Sequence, residues 1–339
     1  MKKYLFLACI LSSGFAFAQQ KRPIKKPVPL KVTVPQPVEA SSGDYGEQPV
    51  VMPASAMVSI SATKKNGDQI SFSTPEALAQ ADLSQFKTLS ITTRHSDKIL
   101  DRKVLQQIID AAKQLESLTI ENFTIEAFPD ITTPHLHLKK LVLTNNKLNT
   151  LPASISNLSA LEALSSSNPL KELPASFSAL KNMKELGLHY TWFTSFPMAI
   201  FSLNKLSVLY VSGARKGTAK IKELPDLFQQ LPELKELGIT NASLVTLPAS
   251  ISRLPHLNKV DFSYNLFTEF PAALANNAHL SFVPFSSNPL KWNAFLASIK
   301  KIKWHGLFFL HETGLSRQQY ETVQRILSKT DVYYDGMND

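Results

Sequence analysis

Residues 138–158 read LKKLVLTNNKLNTLPASISNL, and the fold follows from the spacing inside this stretch and from how often it returns. Leu141 and Leu143 alternate with Lys140, Val142 and Thr144, the period of a strand with one buried face. Pro152 opens PASISNL, where proline suits the first turn of a helix. Ile155 and Leu158 lie three apart and share a helical face. The unit is strand, turn and short helix, and alone it cannot bury its apolar side.

The unit recurs. Leu-Pro or Phe-Pro pairs place prolines at 129, 152, 174, 197, 225, 248 and 271, separated by 23, 22, 23, 28, 23 and 23 residues. The copy from Met183 supplies Leu186, Leu188, Phe193 and Phe196; that from Leu234 supplies Leu237, Ile239, Leu244 and Leu247; that from Leu257 supplies Val260, Phe262, Asn265, Phe267 and Phe270. A fixed period in the twenties marks a stacked solenoid. Asn146, Asn265 and Asn288 fall at the bend after the strand, where an amide can pair backbone groups left open by the turn. The middle copies carry Thr191, Ala214 and Ala242 there, so an asparagine ladder is expected to break.

These residues resemble the leucine-rich-repeat family, in its 23-residue type with an LPxxI-like second half. The resemblance is clear over 115–290, weaker at 86–92 and lost after Trp292. It implies an α/β leucine-rich-repeat solenoid, with parallel strands on the concave face, short helices on the convex face and a cap at each end. The expected organisation is a signal peptide at 1–18, a Pro/Lys-rich linker at 19–55, an N-terminal cap with a first irregular repeat at 56–114, repeats at 115–292 and a C-terminal cap at 293–339.

In the N-terminal cap, 57–63 and 69–73 flank Asn66-Gly67, a hairpin signal; Thr74-Pro75 starts a helix, and a second helix is expected at 101–114. Near the other end, 306–310 reads as a strand and 316–328 as a helix. At the start, Lys2 and Lys3 precede an apolar run to Ala18, and Ala16-Phe17-Ala18 fits a small-x-small cleavage site. Cys9 is the only cysteine, so the mature chain lacks a disulfide, a cysteine nucleophile and a cysteine-ligated zinc. The linker holds Lys21, Arg22, Lys25, Lys26 and Lys31 with no acid before Glu39. It reads as a semi-rigid tether or as a contact to acidic envelope polymer or phospholipid. The chain carries +9 overall, but beyond residue 55 there remain 29 cations against 24 acids, a balance of +5. That charge is too mild and dispersed to point to nucleic acid.

Catalytic signatures are missing. The stretch Gly213–Gly217 lacks P-loop spacing, and His311-Glu312 lacks the second histidine of a zincin. His135 and His137 could share a strand face, but two ligands make no metal site. No cofactor is called for, and the chain reads as a binding protein rather than an enzyme. The outward strand positions are mostly small and polar except at the centre, where His189, Tyr190, Trp192 and Tyr210 gather near Gly187, Gly238 and the five-residue insertion carrying Arg215 and Lys216. Interface hot spots favour Trp, Tyr and Arg, and the glycines leave room for a partner group. These six residues are the expected binding set, for a protein ligand or a glycan; Trp192 has a second reading, as filler for the gap at Thr191, and the insertion a second reading as a tolerated surface loop. Oligomeric state is not legible. The alternative function is a structural envelope component whose linker touches peptidoglycan or membrane.

Export predicts a mature chain beginning at Gln19. Intact mass of the exported protein checks this; a lipid-modified start at Cys9 overturns it.

Overall fold

The computed structural model describes residues 58–95, 97–214 and 220–334; the signal and linker segments lie outside the described residues. The chain opens with a hairpin, β1 (Val58–Lys64) against β2 (Gln69–Phe72). Gly67 turns it at φ +98°, and the Lys64 N–H donates to Asp68 O at 2.8 Å. Helix α1 (Pro75–Ala79) begins at Thr74, whose hydroxyl accepts the Ala77 N–H. β3 (Phe86–Thr93) pairs antiparallel with β1 and parallel with β4 (Ser117–Glu121), so it joins the hairpin to the repeats. Helix α2 (Arg102–Ala111) is capped by the Asp101 carboxylate at the Lys103 and Val104 N–H groups, and Leu105, Ile108 and Ile109 are buried along it.

From β4 every strand pair is parallel. β5 (Lys140–Thr144), β6 (Ala163–Ser167), β7 (Glu185–Thr191), β8 (Val208–Gly213), β9 (Glu236–Thr240), β10 (Lys259–Asp261), β11 (Phe282–Pro284), β12 (Leu307–Phe309) and β13 (Asp331–Tyr333) follow in spatial order. Register places Leu118, Leu141, Leu164, Leu186, Leu209, Leu237 and Val260 in one row, all buried. The sheet continues past the last clear repeat, because β12 and β13 extend it in register.

On the far side of the sheet the sequence anticipates short helices opened by proline. Residues Ala153–Asn157, Ala175–Ala179, Met198–Ser202 and Ala249–Arg253 instead form 3₁₀ turns, and Pro152, Pro174, Pro197 and Pro248 sit just before them as caps. The Ile155 N–H donates to Pro152 O, and the Leu158 N–H to Ile155 O. A 3₁₀ turn rises further per residue than an α-helix, which spans the back of a 23-residue unit in fewer residues. α-Helices take over toward the C-terminal end: α3 (Ala272–Ala275), α4 (Trp292–Ile299) and α5 (Arg317–Ile326). Gln324 of α5 closes the last strand, accepting the Val332 N–H and donating to Thr330 O. An edge strand whose amides are occupied is a poor template for another chain.

The bend after each strand carries the asparagines. Asn146 Oδ1 accepts the Phe123 N–H and its Nδ2 donates to Ile120 O; Asn265 and Asn288 repeat the arrangement against Leu244 and Ile239, and against Phe267 and Phe262. Asn168, in the copy one residue short, joins this ladder: its Oδ1 accepts the Asn146 and Leu148 N–H groups and its Nδ2 donates to Leu143 O. The ladder breaks over β7–β9 as expected, and there Thr191 donates to Ser212 O while Asn241 donates to Gly213 O.

Leu237 is fully buried and Lys235 is exposed. Leu237→Asp is expected to cost several kcal/mol, since a carboxylate enters an apolar core without a partner, whereas Lys235→Asp stays within about 0.5 kcal/mol. Thermal melts of the two variants check the register; equal melting temperatures overturn it.

Candidate functional site

The strand alternation that buries Leu186 and Leu188 turns Gly187 and His189 to the concave side. Across the register the concave floor runs Ser165, Gly187, Tyr210, Gly238 and Asp261, flanked by Glu185, Val208, Glu236 and Lys259. Its centre differs from expectation. Gly187 and Gly238 do not leave space open, because the neighbouring rings lie down on them. A Cβ at 187 would stand 3.0 Å from His189 Nε2, and one at 238 would run into the Tyr210 ring.

His189 is therefore not the outward side chain that its strand position suggests. It is only 9% exposed, and its Nε2 has no hydrogen-bond partner. Burial holds its pKa down at about 4. Tyr210 remains partly exposed. Its hydroxyl donates to Glu236 Oε2 at 3.4 Å, and Glu236 also pairs with Lys259 Nζ at 2.9 Å. Burial, then the charges of Glu236 and Asp261, push the Tyr210 pKa far above its ordinary value, so the phenol stays protonated and keeps donating. Burial also raises the Asp261 carboxyl, against the Ser263 N–H that donates to it at 3.0 Å. Burial raises Glu185 as well, partly offset by the Lys140 charge. The centre is thus an aromatic platform fixed by a Glu236–Lys259 pair inside an acidic setting.

Tyr190 and Trp192 belong to a different surface. Between β7 and β8 the register shifts after Leu188, so that Thr191 faces Gly213. Tyr190 lies in this irregular stretch at φ +57°, a conformation that recurs after several other strands. Both Tyr190 and Trp192 are exposed along the strand-end edge, so Trp192 does not fill the gap beside Thr191. Arg215 and Lys216 lie outside the described residues. His135 and His137 are not on a strand: His135 is buried, with Lys113 Nζ 3.3 Å from its Nε2, and His137 is exposed. Among the described residues no three metal-ligating side chains gather, and no helix is long and apolar enough to cross a membrane.

Two features escape a reading of the central copies alone. Tyr264 and Leu266 occupy the positions of Tyr190 and Trp192 in the copy three strands on, a match visible from their equal offsets before Pro271 and Pro197. Toward the C-terminal end Phe309 stacks on Tyr333 at 5.0 Å between centroids and meets Phe282 at 5.2 Å. That band carries no repeat signal, because β12 and β13 come from outside the periodic region.

Two buried histidines fix a pH response. His135 is also held at about 4, by burial and then by the Lys113 charge. For a histidine with a depressed folded pKa, the unfolded chain binds the proton first as pH falls below about 6.5. Stability is complete above that point and is lost progressively down to about pH 4. Between pH 7.5 and 5 each histidine is expected to remove about 2 kcal/mol. Denaturant unfolding at both pH values checks this, with His189→Gln flattening the dependence; an unchanged dependence overturns it.

The model of the family described as Leucine Rich Repeat matches residues 137–158. No curated protein sequence matches the chain. Among solved structures, an internalin C2 of Listeria monocytogenes is similar at 19% identity and a TM-score of 0.51, over 61% of this chain and 83% of that one. An internalin F of the same organism is similar at 14% identity and a TM-score of 0.46, over 80% and 91%. A leucine-rich-repeat protein of Leptospira interrogans is similar at 20% identity and a TM-score of 0.41, over 70% and 81%. Together with the in-register parallel sheet and the matched repeat, the likeness to internalin C2 makes this chain a leucine-rich-repeat solenoid.

Proposed function

We propose that this chain is an exported, non-catalytic binding module that recognises a protein partner, or a glycan, through the concave face of its solenoid. Leucine-rich-repeat solenoids are generally binding modules. The observation that carries the reading is the Tyr210 platform: a ring laid across Gly238 and anchored through Glu236 to Lys259. An aromatic side chain already immobilised loses little freedom when a partner lands on it. The register neighbour of Tyr210 on β7, Gly187, carries no side chain, and Tyr210 stays partly exposed. The bent-over His189 ring supports the floor from the adjoining strand. Residues 1–18 would direct export and 19–55 would act as a spacer ahead of a cap at 56–114, repeats at 115–292 and a cap at 293–339.

Partners are to be captured from envelope extracts with the mature chain and then measured one by one. Tyr210→Ala is expected to weaken binding by about thirtyfold, the cost of truncating a hot-spot aromatic, while Thr119→Ala on a distal strand changes it little. Equal affinity of Tyr210→Ala and the parent, with both folded, overturns the concave reading.

A further inference from the structure

One backbone position repeats with a left-handed conformation. Asn122, Asn145, Tyr190, Asn241, Tyr264, Ser287 and Glu312, at the bends after seven of the nine strands from β4 to β12, have φ between 52° and 66°. The bend accompanies a hydrogen bond to the neighbouring strand in most of these copies. The Asn122, Asn145, Asn241, Tyr264 and Ser287 N–H groups each donate to a carbonyl at the end of the next strand: Thr144, Ser167, Ser263, Ser286 and His311. The equivalent Asn168 and Gly213, at the ends of β6 and β8, do not adopt the bend, although the Asn168 N–H donates to His189 O in the same way. Asparagine tolerates the bend well, whereas a bulky side chain is strained.

Two copies nevertheless spend tyrosine on this slot, and both follow it two residues later with a large apolar side chain. Tyr190, Trp192, Tyr264 and Leu266 are 44–53% exposed. Strain at a position where a neighbouring copy does without it points to a role for the side chain. The two pairs form separate ledges on the strand-end edge, three strands apart, about 14 Å. Between them lies a polar stretch in which Lys220 Nζ sits 3.1 Å from Asn241 Oδ1.

We propose that this edge is a second docking surface, distinct from the concave centre, for an extended acidic peptide segment of a partner protein. In an extended chain, side chains four residues apart point the same way and lie about 13 Å apart, which matches the two ledges. The residue halfway between them faces the same side, over the Lys220–Asn241 pair, where a carboxylate meets the Lys220 ammonium. The segment is therefore apolar-x-acidic-x-apolar. Two small ledges divided by polar surface do not offer the roughly 800 Å² per partner that a second copy of the chain would need, so a short segment is the fitting occupant. The inference does not depend on the concave reading.

The test uses the mature full chain and a synthetic peptide with two leucines four residues apart and glutamate midway, titrated by calorimetry and by tryptophan fluorescence, which Trp192 reports. Tyr190→Asn and Tyr264→Asn restore the residue that suits the bend, so thermal stability is expected to hold or rise while affinity falls about thirtyfold for each. Lys220→Gln is expected to reduce affinity several-fold at low salt and to lose its effect at high salt. Tyr210→Ala is expected to leave this binding intact. A peptide with the leucines three apart, or with lysine in place of glutamate, is expected to bind more weakly. No binding of the parent peptide, indifference to leucine spacing, indifference to both tyrosine variants, loss of binding in Tyr210→Ala, or retention of an acidic glycan in place of the peptide each overturns the proposal.

Discussion

The constraint on which this structure depends is the in-register parallel ladder. A single unit has one buried row and no second layer, so its leucines are covered only when the next unit repeats the same offsets. Leu141, Leu164, Leu186, Leu209 and Leu237 meet that demand one above the other. The same ladder dictates what happens outside the core. It accompanies a left-handed bend at most of the strand ends, calls for an amide to bridge the opened backbone, and sets the lateral spacing of everything displayed to solvent.

Departures from the repeat therefore have defined consequences. The copy that is one residue short keeps its hydrogen bonding because Asn168 takes over the bridging role, with Ser166 Oγ as an extra partner at 3.0 Å in an otherwise apolar row. The break in the asparagine ladder over β7–β9 coincides with the irregular stretch at Tyr190, and with Asn241 bridging sideways to Gly213 and Lys220. The ladder break coincides with one exposed pair, Tyr190 and Trp192, whereas Tyr264 and Leu266 flank Asn265, where the ladder is intact.

The two glycines on the concave floor show how such a surface is built. At Gly187 and Gly238 the missing Cβ admits a ring from the next strand position or the next strand. The rings lose solvent and gain fixed orientation. For Tyr210 this yields a phenol that donates to Glu236, and for His189 a neutral imidazole with an unpartnered nitrogen. Sequence position alone assigns both to the exposed side. Only packing decides that one is covered and that the other lies flat.

The sequence by itself determined the architecture. Recurring Leu-Pro and Phe-Pro pairs set the period, alternation around Leu141 and Leu143 set the buried row, and Asn66-Gly67 and Thr74-Pro75 set the N-terminal hairpin and helix start. These signals are legible because each arises from contacts within one repeat or one turn. Tertiary structure decided the rest. The backs became 3₁₀ turns because neighbouring units fix the length to be spanned. β13 was added at the end because Gln324 closes it, a contact no local pattern announces. The candidate residues divided into a concave floor and a strand-end edge because Tyr190 and Trp192 lie at and just beyond the bend that ends β7, whereas Tyr210 lies within β8. Which face a side chain reaches, and what covers it there, depends on strands twenty or more residues distant, and a single repeat does not carry that information.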